Sequence, residues 1–393
     1  MNVIYPAIVL VGYNRPDSMQ RLLNSVLGAT YPDMDISLII SIDQSNKSDE
    51  IETIAQKATW KHGEKKIIRY SERLGLKKHI LNCGDLSQKY GAVIILEDDL
   101  FVSPEFYNYT CAALNKYEQA ENVAGIALYS HWWNGYGNCS FRPAQSGFDS
   151  FFGQFSITWG QCWTASQWKK FKLWYMNQGE TFTETYNLPQ NVMSWGKQSW
   201  GKYFIKYIVE NNLYYVIPYN AMSTNFSDTG EHCNAVNTAH QVPLAGLAKR
   251  NYVFPNAEEG YYYDVFFDRI FSKSDSIKGI AGNQICVDLN YSKRRTDGKR
   301  YLLTNRRINK NPIDSFGIKL RPVEENAVYS IPGKEIFLYD IQGEIIEFKN
   351  ETLSTERLAY EVYGLYVVSL FKYSLKTLLS KLAKKVKRVV KRK

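Results

Sequence analysis

Glu97, Asp98 and Asp99 stand side by side at the end of an apolar run, in the stretch YGAVIILEDDLFVSPEFYNY (residues 90–109). Adjacent carboxylates repel one another, and holding them against apolar structure raises that cost unless a cation or a donor-rich ligand offsets it. Carboxylate oxygens are hard ligands suited to Mg2+ or Mn2+, ions that commonly bind through one or two carboxylates while phosphate oxygens supply further positions. A nucleoside diphosphate is the natural second ligand. A divalent ion there would neutralise a diphosphate as it leaves during a group transfer. The plainer alternative is an acidic turn facing solvent, and the strand context weighs against it.

Four other places carry residues of the right types. Asp43, in SIDQS, is placed to accept hydrogen bonds from a uracil or a ribose, as acids do in other doubly wound nucleotide sites, or else to serve as a turn acid. Tyr13 and Asn14, in GYNRP, occupy a strand-to-helix turn in which Pro16 suits the first helical position. Arg73 meets phosphate or pairs with its neighbour Glu72. His232, in SDTGEHC, completes a metal shell, touches a diphosphate or merely satisfies a turn.

The elements that must position these residues are legible from the spacing of apolar side chains. Residues 6–13 (PAIVLVGY) read as a strand, followed by Met19, Leu22, Leu23, Val26 and Leu27 at helical spacing. The pattern recurs: ISLIISI (36–42) precedes Ile51, Ile54, Ala55 and Ala58; KIIRY (66–70) precedes residues 76–89; and AVIILE precedes 104–118, with Ser103 as cap and Pro104 opening the helix. Strands apolar on nearly every residue, alternating with helices, predict a mainly parallel α/β sheet of Rossmann-like type covered on both faces. In such sheets ligands bind beyond the carboxyl ends of the strands, so Tyr13-Asn14, Asp43, Glu72-Arg73 and the acidic triplet should share one crevice.

Four segments are distinguishable along the chain. Residues 1–120 hold the strand-helix units that bind the nucleotide. Residues 121–244, where Trp, Tyr, Gly and Asn replace the regular alternation, read as an acceptor-side half on the same sheet. Residues 245–350 read as a small appended region with the strand-like runs YLLT, EIFLYD and EIIEF. Residues 356–393 form a basic tail.

At 393 residues and 45% hydrophobic the chain is long enough for one large or two ordinary domains. Aromatic residues make up 15%, with 29 Tyr and 9 Trp, a content often found where flat ring faces hold sugars or bases. The six cysteines show no C-x-x-C pair and no zinc-like spacing with the five histidines, which argues against a disulfide framework or structural metal and for a reducing compartment. No basic leader with a small-residue cleavage site opens the sequence, and its first apolar run is too short to span a bilayer. The formal charge of +9 resides in the tail: Lys372 to Lys393 contains ten Lys or Arg and no acid, and the rest of the chain sums to −1. A nucleic-acid-binding body would spread positive charge over a folded face, so that class is excluded.

Within the tail, Leu375, Leu378, Leu379, Leu382, Val386, Val389 and Val390 recur at helical spacing with Lys and Arg on the other face. Such a helix lies on an anionic membrane surface, unless it packs on the protein's own body. The apolar run YGLYVVSLF upstream is too short to cross one. These features predict a cytoplasmic protein held peripherally at the inner membrane surface through residues 365–393.

VGYNRPDSMQRLLNSV, SIDQS, ERLGLKKHI and VIILEDDLFVSPEFYNY together resemble the nucleotide-sugar half of the GT-A glycosyltransferases, family 2 in the broad sense. More narrowly, they resemble bacterial hemolytic-protein-like sugar transferases. The acidic motif is also similar to that of N-acetylglucosaminyltransferase I. The likeness continues through TWGQCW, SWGKYFIKYIVENNLYYVIP and GEHC, and covers about residues 5–345. It implies a GT-A fold with a small C-terminal extension, Asp99 as direct metal ligand, Asp98 on the ribose or metal shell, and Glu97 facing the donor sugar. It further implies that Tyr13, Asn14 and Asp43 hold the nucleoside.

One departure stands out. Relatives often carry an acid just before the residue matching Trp200, where it serves as general base toward the acceptor hydroxyl. Here the sequence is Gln198-Ser199-Trp200, and neither side chain is a competent base. The role passes to Glu180, Glu184, Asp228 or Glu231, unless the protein is a silent glycan- or nucleotide-binding subunit. The resemblance therefore predicts a Mn2+- or Mg2+-dependent transferase moving a sugar, most simply from a UDP-sugar, to a glycan or lipid-linked oligosaccharide in bacterial surface polysaccharide synthesis. A sugar nucleotidyltransferase would share the sheet and the metal, but GYNRPDS is not the Gly-rich phosphate loop expected of one.

Overall fold

The computed structural model describes residues 4–343 apart from 138, 156, 179–181, 183, 184, 186, 229–237, 247–250 and 291, together with 359, 360, 371, 372, 374–376, 378 and 379. Residues 1–347 form one compact unit and residues 348–393 a second.

The first unit begins with the expected strand-helix steps. β1 (Ala7–Gly12), β2 (Leu38–Ile42), β3 (Lys65–Arg69) and β4 (Ala92–Glu97) run parallel in the spatial order β4, β1, β2, β3. α1 (Pro16–Leu27), α2 (Ser48–Lys57), α3 (Leu76–Asp85) and the short α4 (Ser87–Tyr90) connect them. β1 is apolar on successive residues because both of its faces are covered. Ile8 and Leu10 pack with Met19, Leu22 and Val26 of α1 and Ile51 of α2, whereas Val9 and Val11 pack with Ile80 and Cys83 of α3. β4 divides the same way, with Ile94 and Leu96 on one face and Val93 and Ile95 on the other, so alternation carries Glu97 toward the α3 face. Each buried Leu, Ile or Val contributes roughly 1.5–3 kcal/mol.

After the acidic turn, β5 (Leu100–Val102) leads into α5 (Phe106–Tyr117). This helix starts later than Ser103 and Pro104 suggest. The Ser103 hydroxyl accepts the Glu105 N–H at 3.1 Å but donates to the carbonyl of Ala245 at 2.7 Å, so it ties a distant loop to the turn rather than capping α5 directly.

Beyond β4 the sheet reaches ten strands. Gln161–Thr164 pairs antiparallel with β4 and with β6 (Val123–Ala127), and Tyr214–Pro218, Ser150–Gly153, Tyr262–Tyr263 and Arg269–Ile270 complete the order. The sheet is thus parallel through its nucleotide-side half and mixed beyond, with helices on both faces: the expected Rossmann-like α/β architecture. Helices Ala165–Gln178 and Trp200–Glu210 cover the α3 face. Trp163, Trp168 and Trp200 lie in that core, Trp163 and Trp168 with ring centroids 4.7 Å apart, so these aromatics fill the interior and are not open platforms for a sugar.

Ile285–Asp288, Tyr301–Thr304, Ile336–Asp340 and Asp314–Phe316 form, in that order, a smaller four-stranded sheet. It contains the runs YLLT and IFLYD; EIIEF (344–348) lies outside the described residues. In the second unit, residues 371, 372, 374–376, 378 and 379 are helical. Phe371, Leu375, Leu378 and Leu379 share one helical face and are 67%, 45%, 56% and 57% exposed. Leu382, Val386, Val389 and Val390 fall outside the described residues. Among the described residues no helix is long and apolar enough to cross a membrane.

Candidate active site

The carboxyl ends of β1, β2 and β4 open onto a cavity of about 150 Å³. Its walls include Tyr13, Asn14, Asp43, Arg73, Glu97, Asp98, Asp99 and Asp228. These are the candidate site residues from the sequence that lie within the described chain, except Glu72, which was expected in the same crevice but is exposed and does not line the cavity. Glu180, Glu184, Glu231 and His232 fall outside the described residues. The walls also include Arg15, Gly75, Leu76 and His79, which the sequence reading did not single out as ligand-binding.

Asp43 forms the pocket's second-strand corner. Its carboxylate is 97% hidden in residue terms, with 3% exposure, and accepts three backbone N–H groups: Gln44 at 2.8 Å and Leu74 at 2.7 Å on Oδ1, and Gly75 at 3.0 Å on Oδ2. Gly75 has φ of +74°, a left-handed conformation that a side chain disfavours, and it starts α3. Asp43 therefore builds the wall that carries Arg73, and its second oxygen retains acceptor capacity toward the cavity. On the first-strand side, the Ser45 hydroxyl donates to the Tyr13 carbonyl at 2.6 Å, and the Arg73 guanidinium lies 5.0 Å from the centre of the Tyr13 ring. An aromatic face with a cation beside it suits a base stacked next to a phosphate.

Behind this wall His79 of α3 shares a 2.7 Å hydrogen bond with the Ser41 hydroxyl. Burial pulls its imidazole from the ordinary value of 6.5 down to about 4, against an opposing pull from Asp43. It is neutral at neutral pH and acts as a hydrogen-bonding group, not a phosphate-binding cation.

The acidic triplet occupies the opposite wall. Burial, reinforced by Asp99 and Asp98, pushes the Glu97 carboxyl well above the usual carboxylate range. Burial likewise pushes Asp98 up to about 6, with the guanidinium of Arg15 holding it back. Arg15 donates a short charge-assisted hydrogen bond to Asp98 Oδ1, and its Nη2 lies 3.4 Å from Asp99 Oδ2. The other oxygen of Asp99, Oδ1, is buried without a hydrogen-bond partner among the described residues.

Asp228 arrives from 210 residues beyond Ser18. The Ser223–Asn225 strand pairs antiparallel with β5, and the Phe226 N–H reaches the Asp99 carbonyl at 2.9 Å. That carries Asp228 over the start of α1, where it accepts from the Ser18 hydroxyl at 2.7 Å and pairs with Arg21. Burial alone would raise its pKa, but the hydrogen bonds from Arg21 and Ser18 outweigh it and hold the carboxyl below the usual range. A carboxylate so engaged is a weaker proton acceptor than a free one.

Does this donor set fit a divalent cation? Among the described residues no three His, Cys, Asp or Glu side chains converge into a cage. Mg2+ and Mn2+ sites that share a nucleotide need less, one or two carboxylates with phosphate oxygens completing the shell. Asp99, whose buried Oδ1 has no partner among the described residues, supplies that arrangement beside Asp98. The residues fit the ion as a partner of a bound diphosphate.

Residues 7–168 match the model of glycosyl transferase family 2. No curated protein matches the chain. Among solved structures, TarS 1-349 from S. aureus in complex with UDP is similar at 14% identity and a TM-score of 0.36, over 56% of this chain and 59% of that one. The same protein in complex with UDP-GlcNAc gives 14% and 0.37, over 58% and 60%. The mannosyltransferase PcManGT from Pyrobaculum calidifontis, in complex with GDP-Man and Mn2+, gives 11% and 0.30, over 41% and 45%. The chain thus spans about three-fifths of the length of the TarS structures it matches.

Proposed function

We propose, from the match of residues 7–168 to the model of glycosyl transferase family 2, that the protein moves a sugar from a nucleoside diphosphate donor to a hydroxyl acceptor. The donor is most simply a UDP-sugar, the ion Mn2+ or Mg2+, and the acceptor a glycan or lipid-linked oligosaccharide of bacterial surface polysaccharide synthesis. The observation that carries this reading is the meeting, in one cavity, of Asp98 and Asp99 with a wall of Tyr13, Arg73 and Asp43.

In this reading Tyr13 and Asn14 face the base and Asp43 accepts from the uracil or ribose. Arg73 meets phosphate. Asp99 would hold the cation directly and Asp98 the ribose or the metal shell, and the ion when bound would supply Lewis-acid neutralisation of the departing diphosphate. Glu97 faces the donor sugar. The acceptor proton passes to one of Glu184, Asp228 and Glu231, of which Asp228 requires release from Arg21 before it can take it. His232 is the candidate for a further ligand to the metal or diphosphate.

The test is a thermal-shift panel of UDP, GDP and their sugars with and without Mn2+. A ligand bound only by the native state stabilises it by about 2.7 kcal/mol at a hundredfold excess over its dissociation constant. A UDP-sugar is expected to raise the melting temperature with metal and not in EDTA. Equal shifts for every nucleotide, or none, would sink the assignment.

The tail supports a peripheral membrane location. Phe371, Leu375, Leu378 and Leu379 present apolar area on one helical face while Lys372 and Lys376 are exposed beside it, the composition of an interfacial helix. Deleting residues 365–393 is expected to release the protein from phosphatidylserine-containing liposomes in a sedimentation assay. Retained binding by the truncated protein would exclude the tail as anchor.

A further inference from the structure

We infer that Arg15 is a diphosphate-binding residue of the donor site, and that in the donor-free protein its guanidinium takes the cation's place on Asp98 and Asp99, to be handed over to the phosphates when metal and donor enter together. The inference rests on the donor-site reading above and assigns a residue that reading leaves without a role.

Three observations carry it. First, Arg15 lines the same cavity as the acidic triplet, reaching it from the turn after β1 while the acids come from the turn after the adjacent, parallel β4. Second, one guanidinium serves both carboxylates: Asp98 through a short charge-assisted bond, Asp99 through Nη2 at 3.4 Å and Nη1 at 3.5 Å. Among the described residues Asp99 Oδ1 is buried with no hydrogen-bond partner, so there the guanidinium satisfies the pair only in part. Third, the Arg15 side chain is 22% exposed, against 5% for that of Asp98, so the cation can swing toward solvent or ligand while the acid stays in place.

Charge decides the order of events. Three adjacent carboxylates with no counter-charge would destabilise the strand end, and Arg15, which stays protonated at all accessible pH, supplies one positive charge. Burial alone would lower its pKa, but Asp98 and Asp99 more than reverse that. A divalent ion arriving alone would compete with the guanidinium for the same oxygens and be repelled by it. An ion arriving with a diphosphate brings phosphate oxygens that match the guanidinium fork as well as a carboxylate does. The guanidinium then exchanges partners without becoming unpaired, and metal and diphosphate must bind with positive coupling, each strengthening the other by the same factor.

The test uses full-length protein, Mn2+ and UDP. Free Mn2+ is followed by its electron paramagnetic resonance signal, and UDP binding in EDTA by calorimetry. Removing a charge-assisted competitor should make nucleotide-free Arg15→Gln bind Mn2+ at least ~10-fold more tightly than wild type, and should weaken its metal-free UDP binding by at least ~10-fold. Arg15→Lys, which keeps the charge, should stay near wild type for Mn2+. An Arg15→Gln protein with wild-type melting temperature and unchanged or weaker Mn2+ affinity would overturn the exchange. Should that variant not fold, wild type alone decides: UDP must raise its Mn2+ affinity at least ~10-fold, as reciprocal coupling requires, and absence of coupling overturns the proposal. Wild-type protein that binds no UDP, GDP or UDP-sugar at all, with or without Mn2+, overturns the donor-site reading itself. Uncoupled binding of UDP and Mn2+ overturns only the role given to Arg15.

Discussion

Replacing Asp99 with asparagine is expected to lower metal-dependent turnover of the nucleotide sugar by about 10³-fold, the loss that accompanies removal of roughly 4 kcal/mol of charge stabilisation in the transition state. The substitution keeps the shape of the side chain and removes its charge. Within the protein it gives up little, because Asp99 Oδ1 has no hydrogen-bond partner among the described residues and Oδ2 stands 3.4 Å from Arg15. It also relieves repulsion on Glu97 and Asp98, both of whose carboxyls are raised in part by the Asp99 charge. Activity and stability should therefore separate: turnover collapses while the melting temperature holds or rises. The measurement is nucleoside diphosphate release with Mn2+ present, beside a melting curve of each protein. Turnover of Asp99→Asn within a few-fold of wild type would remove the metal from the acidic turn.

Asp43→Ala is expected to produce the opposite signature, a large loss of stability together with loss of donor binding. The carboxylate accepts the N–H groups of Gln44, Leu74 and Gly75 at 3% exposure, and each buried donor left unpaired costs about 1–3 kcal/mol. Leu74 and Gly75 are partly exposed and recover some solvation from water, so a total near 3 kcal/mol is expected, which lowers the melting temperature of a unit of this size by about 4 °C. Because the same loop carries Arg73 against Tyr13, affinity for UDP should fall by at least ~10-fold as the wall loosens. Asp43→Asn retains one acceptor oxygen and should recover about half of the stability while remaining weak for the nucleotide. An Asp43→Ala protein as stable as wild type would mean that the 72–75 loop is held by something else.

The two substitutions separate two kinds of acid in one cavity. Asp43 is held by three of the protein's own N–H groups, with acceptor capacity left on one oxygen, and builds the site. Asp99 is left partly unsatisfied and is available to a ligand. Residue type does not distinguish them, since both follow an apolar strand. The difference lies in what the folded chain brings against each carboxylate.

How much was legible beforehand follows from how local each feature is. β1 to β4 and the helices between them lie close to where the apolar spacing puts them, because a strand buried on both faces and a helix buried on one each write their burial into consecutive residues. Convergence of Tyr13, Asn14, Asp43, Arg73 and the acidic triplet was likewise legible, since parallel strands deliver their carboxyl ends to one edge. The segment from residue 120 onward was not. Its strands are two to five residues long and pair out of sequence order, so no periodicity accumulates.

By itself, then, the sequence determined a doubly covered α/β sheet with acids at the carboxyl edge of its parallel strands, because hydrophobic periodicity and strand direction are properties of neighbouring residues. Tertiary structure alone decided which charges meet. Arg15 reaches Asp98 across 83 residues, Leu74 and Gly75 reach Asp43 across 31 and 32, and Ser18 reaches Asp228 across 210. Those contacts set the counter-ions and hydrogen-bond partners of the site, and they exist only once the sheet has placed distant turns within hydrogen-bonding distance.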